Sequence, residues 1–158
     1  SAGIDPRLEH WHASFARPTE QTAPTLIDDG RTLITEGTGP AGIEFVERAM
    51  RVSTDDESLA PALIDIAWQL YERGEFVFAS RYVRIAGQSD SPALAVRART
   101  LGIRIDFSQR QTLPSHLINS WSKRERAEAP AEVALLQLHL VVPMAMRDRA
   151  AIGSPWSR

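Results

Sequence analysis

The stretch from Leu63 to Ala79 constrains the chain more than any other, because it encodes two amphipathic helices around one glycine. Leu63, Ile66, Ala67 and Leu70 recur at helical spacing before Gly74, and Phe76, Ala79, Val83 and Ala86 do so after it. Each half therefore carries one apolar stripe. Two striped helices joined so tightly have to pack antiparallel. Ala67 and Ala79 are small where the axes would approach, and Gly74 can take the left-handed conformation that ends a helix. The unit is an αα-hairpin.

The hairpin recurs on both sides. Leu26, Gly30, Leu33, Ile34, Gly37, Gly42, Val46 and Ala49 fall 37 residues before Leu63, Ala67, Leu70, Tyr71, Gly74, Ala79, Val83 and Ala86. Leu94, Ala98, Leu101 and Phe107 fall 31 residues after Leu63, Ala67, Leu70 and Phe76, with Ile105 in place of the hinge glycine. This order of large, small, aromatic and small residues, followed by the helix-breaking Pro92, resembles the tetratricopeptide repeat. The match runs over about residues 24 to 107, and Asp29 stands where that family prefers an apolar residue. The resemblance implies an all-α fold of stacked antiparallel helical hairpins, an α-solenoid fragment.

Capping helices are expected at both ends, since each repeat needs neighbours to cover its faces. Asp5-Pro6 with Leu8, Trp11, His12 and Phe15 reads as a short N-terminal helix that stops near Pro18. The expected organisation is an N-terminal cap over residues 1–19, hairpin repeats over 20–110, C-terminal helices over 111–150 and a tail over 151–158. Residues 18–25 read as a turn-rich entry and 108–114 as a loop, after which Leu117, Ile118 and Trp121 start a helix that runs into Lys123-Arg124-Glu125-Arg126. The final helix, with Ala131, Val133, Leu136 and Leu140, is apolar on more than one face. The start Ser1-Ala2-Gly3, without methionine, suggests a piece of something longer.

At 158 residues the length suits one domain. With 18 basic and 20 acidic residues no long-range field draws in nucleic acid or anionic lipid, and no apolar run spans a bilayer. No cysteine is present, which removes disulfides, thiolate zinc sites and cysteine nucleophiles.

Gly37-Thr38-Gly39-Pro40-Ala41-Gly42 spells GxGxxG, preceded by the apolar Leu33-Ile34 and followed about twenty residues on by Asp55 and Asp56. In a dinucleotide fold those glycines would admit a pyrophosphate at a helix start, so a nucleotide-binding enzyme is one alternative. It demands further buried strands, for which residues 76–85 are the only candidate. The hairpin reading uses Gly37 and Gly42 as hinge and close-packing residues instead. His10 and His12, two apart on a helix, point to different sides and do not share a metal, and His116 and His139 have no acid placed beside them. Asp28-Asp29 and Asp55-Asp56 read as solvated caps. No catalytic residue, cofactor site or metal site is assigned.

A partner-binding groove is assigned. With Leu63, Ala67 and Leu70 facing the hairpin interior, Ile64, Trp68, Tyr71 and Glu72 line the other side of that helix, flanked by Arg31 and Ile34 from one copy and Arg99 from the next. In the resembling family this side of the first helices forms the concave groove. An aromatic pair between two arginines suits a peptide or partner helix with an apolar anchor and acidic residues. The other possibility puts Trp68 and Tyr71 beneath a terminal helix as core. The expected role is a non-enzymatic protein-interaction module or assembly adaptor, and the second alternative a structural, self-associating subunit of a larger complex. The lysine and asparagine set with which the family clamps a terminal carboxylate is absent, so binding of chaperone tails is not implied.

Overall fold

A computed structural model describes residues 5–110, 122–134 and 137. The described residues are all helical or connecting, with no strand among them. The helices are α1 (Pro6–Ala16), α2 (Thr22–Thr35), α3 (Gly39–Val52), α4 (Asp56–Glu72), α5 (Phe76–Ala86), α6 (Pro92–Arg110) and α7 (Lys123–Glu128). Residues 76–85, the one stretch that a sheet could have used, lie within α5.

Two hairpins carry the core, α2 on α3 and α4 on α5, and their pivots are the same motif. Gly37 has φ +96° and Gly74 φ +80°, a left-handed conformation that costs a residue with a Cβ about 1–2 kcal/mol. At the first pivot the Gly37 and Thr38 amides donate to the Ile34 and Leu33 carbonyls at 3.1 and 2.9 Å. At the second, Gly74 and Glu75 donate to Tyr71 and Leu70 at 3.0 and 2.9 Å. Both are Schellman caps, which satisfy the carbonyls a helix end leaves orphaned. The third copy, with Ile105 at this position, has no pivot, and α6 runs unbroken for 19 residues. Residues 108–110, read from sequence as the start of a loop, are consequently its last turn.

Between α2 and α3 the backbones meet at a reciprocal glycine contact. A Cβ built on Gly30 would lie 2.8 Å from the Gly42 carbonyl oxygen, and one built on Gly42 would lie 2.6 Å from that of Gly30. Ile34 fills the space this opens, its Cγ1 2.6 Å from the same imagined Gly42 Cβ. The second glycine of the GxGxxG string, Gly39, is the first residue of α3 and faces open space.

The middle helix, α4, packs on α5, α2 and α6, and so buries Leu59, Leu63, Ile64, Ile66, Ala67 and Leu70. Covered on several sides, it has no single apolar stripe. The helix α1 lies over α2 and α3: Asp5 caps it by accepting from the Arg7 amide at 3.0 Å, and Trp11 stacks on Phe45 at 4.9 Å. The Arg48 guanidinium donates to the Ser14 hydroxyl and carbonyl at 3.0 and 2.6 Å, which satisfies a fully buried serine. Asp29, the polar departure in the repeat pattern, accepts His10 at 2.8 Å. The helix α2 begins at Thr22, earlier than its proline-rich start suggests, because Pro24 sits in the first turn where a missing amide costs nothing.

At the other end α7 packs on α6. It starts at Lys123, with the extended Ser122 as its N-cap. Beyond it Ala129 and Val133 are buried. The expectations for the helix at Leu117, for the residues after 137 including the tail, and for His116 and His139 fall outside the described residues.

Gly42→Ala drives a methyl into the α2 backbone and is expected to lower stability by about 1–3 kcal/mol, the usual cost of overpacking. Gly39→Ala should be nearly neutral. Urea denaturation followed by circular dichroism checks both, and equal midpoints for the two variants would remove the glycine contact as a determinant.

Candidate functional site

The assigned groove divides into three parts in the structure. Ile34 and Ile64 are fully buried, so neither presents a surface to a partner, and both are corrected here to core residues. Ile34 is drawn inward by the void over Gly42, and Ile64 is covered because α4 has helices on more than one side. Reading one buried face per helix put both on the wrong side.

Trp68 and Tyr71 are half-buried and stand together, rings edge-on with centroids 5.7 Å apart. Neither of the two sequence readings describes them fully, since they pack against the core from its margin. From α6 the Arg104 guanidinium lies 5.0 Å from the Trp68 ring centroid, a cation–π distance, and Ser108 shares a 3.2 Å hydrogen bond with the Tyr71 hydroxyl. Phe76 continues the row, 5.9 Å from Tyr71. Glu72 is exposed beside them.

Sequence reasoning missed Arg104 and Ser108. The signal was available for the arginine: Arg73 and Arg104 are 31 residues apart, the same offset that relates the second and third copies. Each reaches back to the preceding first helix, Arg73 donating to the Thr35 carbonyl at 3.0 Å while Arg104 covers Trp68. Thr35 further approaches Gln69 at 3.5 Å, so the C-terminal ends of α2 and α4 are tied together.

The two selector arginines are already engaged. Arg31 is exposed and pairs with Asp28 on its own helix at 2.8 Å. Arg99 donates to Glu125 of α7 at 2.7 Å, and Glu125 also accepts the Ser122 amide at 2.8 Å in a capping box. The spacing Ser122-Lys123-Arg124-Glu125 is a sequence signature of such a box and was legible. Burial pushes the Glu125 carboxyl up, but the Ser122 donors and the Arg99 charge outweigh it and hold the group below the usual carboxylate range.

Between α3 and α5 lies a second polar cluster. The largely buried Glu47 carboxylate takes Arg81 at 2.8 Å and the hydroxyl of the fully buried Tyr82 at 3.2 Å. Burial first, then the Glu47 charge, raises the Tyr82 phenol above its ordinary range. Elsewhere a cavity of about 680 Å³ opens beside Pro18, Ala23, Val52 and Asp55. Its Asp55 carboxylate is committed to the Glu57 and Ser58 amides at 3.1 and 3.3 Å as the cap of α4.

The remaining glycine string spans a helix end, a turn and a helix start, so α2 occupies the place where a dinucleotide fold requires a strand. Among the described residues no group of three or more histidines and acids is placed to hold a metal, and no helix is long and apolar enough to cross a membrane. Comparison with family models, with curated proteins and with solved structures gives no match for this chain.

Glu125→Gln is expected to cost about 1–2 kcal/mol at pH 7, where the charged hydrogen bonds are made. Because the folded carboxyl is the more acidic, its contribution is complete above the ordinary carboxylate range and disappears as pH falls through the lowered value. Urea midpoints of the two proteins should therefore converge on acidification. A gap that persists or widens in acid would contradict the assignment.

Proposed function

We propose that this chain is a non-enzymatic protein-interaction module or assembly adaptor, a stack of helical hairpins of the tetratricopeptide kind. The supporting observation is the half-open aromatic pair Trp68 and Tyr71 at the junction of α4 and α6, flanked by Arg104 and by the exposed Glu72. Half-buried aromatics over a rigid core lose little side-chain entropy on contact, which is why such groups anchor interfaces. In this reading Trp68 and Tyr71 supply the apolar anchor of the surface. Arg31 is paired with Asp28 on its own helix, and Arg99 meets an acid already present in the chain.

The test is a capture experiment from native extract with the wild type and the Trp68→Ala/Tyr71→Ala double variant side by side. Loss of the captured partner with helical circular dichroism retained is the expected result. Capture unchanged in the folded variant would sink the proposal, and unfolding of the variant would assign the pair to the core.

A second reading, a self-associating structural subunit, draws on α1, where Leu8 and Phe15 are 49% and 59% exposed one heptad apart on the same side. Under it, sedimentation at rising concentration shows association that Leu8→Ser removes; a monomer throughout rejects it.

A further inference from the structure

A separate cleft, sharing no lining residue with the Trp68 surface, lies between α3 and α5 and measures about 380 Å³. That volume falls within the range of small-molecule sites, roughly 300–1,000 Å³. Its floor comes from the first half of α4, where Leu59 and Leu63 are buried, and its walls from the half-buried Met50 and Ile85. Methionine adapts its shape to what it packs against, so this lining is accommodating as well as apolar.

The charges at the cleft decide what it fits. Glu47 and Arg81 both line it and are paired with each other at 2.8 Å, with Tyr82 adding its hydroxyl to the carboxylate. They offset one another. Arg51, in the last turn of α3, also lines it, and makes no hydrogen bond or ion pair among the described residues. Gln88, just past α5, adds an amide at the rim. The cleft therefore presents an apolar bed, one matched ion pair and one unmatched guanidinium. A guanidinium binds a carboxylate through two parallel hydrogen bonds, a geometry that an ammonium or hydroxyl ligand cannot reproduce.

We propose that the α3–α5 cleft binds a small amphipathic carboxylate, its apolar body on Leu59, Leu63, Met50 and Ile85 and its carboxylate on Arg51. A short straight-chain acid is the simplest probe of that chemistry, and Arg51, being exposed, can be altered without disturbing the core.

Octanoate, octanol and octylammonium are titrated into the isotope-labelled full chain while backbone amides are followed by NMR. Octanoate is expected to shift the amides of Arg51, Leu59, Leu63 and Ile85 saturably, with the other two compounds weaker by about tenfold or more. Arg51→Gln should weaken octanoate by about tenfold. Arg84→Gln, a change on α5 at a residue that does not line the cleft, should leave it unaltered. The proposal fails if octanoate leaves these amides unmoved, if octanol binds as well as octanoate, or if the two arginine variants weaken it equally.

Discussion

The covering of α4 from several directions is the constraint on which the structure depends. Its buried residues run through Leu59, Leu63, Ile64, Ile66 and Leu70, a breadth that one partner helix cannot cover. The helix α5 takes one side and α2 and α6 take others, so the hairpins are obliged to stand against each other. Burial of this kind stabilises by roughly 25 cal/mol per Å² of apolar surface and is indifferent to direction. Direction comes from the small residues. Gly30 against Gly42 brings α2 and α3 into backbone contact, and the left-handed Gly37 and Gly74 turn the chain back on itself at each hairpin.

Much of this was legible in the residues because helical periodicity and glycine punctuation are local signals. The hairpin pivots at Gly37 and Gly74, the cap at Asp5 and the loss of the third pivot at Ile105 each rest on a few neighbouring positions. What escaped was set by partners far along the chain. Ile34 is buried by the absence of a side chain at Gly42, and Ile64 by helices that a single-stripe reading of α4 does not count. Arg99 looked available for a partner's acid, yet Glu125, 26 residues on, already meets it. Periodicity reports that a face is apolar; it does not report how many neighbours that face has.

The two surfaces of interest differ in how their charges are arranged. Of the arginines near the aromatic pair or assigned to it, Arg104 lies over the indole ring and Arg73 holds a backbone carbonyl, while Arg99 is turned to Glu125 and to the α5 side of α6. Recognition there would rest on shape and aromatic area, with rim charges adding little affinity in water. In the α3–α5 cleft the ion pair of Glu47 and Arg81 is held by Tyr82 beside Arg51, which has no ion-pair partner among the described residues.

Tyr82 has a consequence of its own. A phenol that is buried beside a carboxylate keeps its proton at alkalinities where a solvated tyrosine would lose it. The neutral phenol is thereby kept as a hydrogen-bond donor to Glu47, so this polar link from α5 to the largely buried carboxylate persists in alkaline solution.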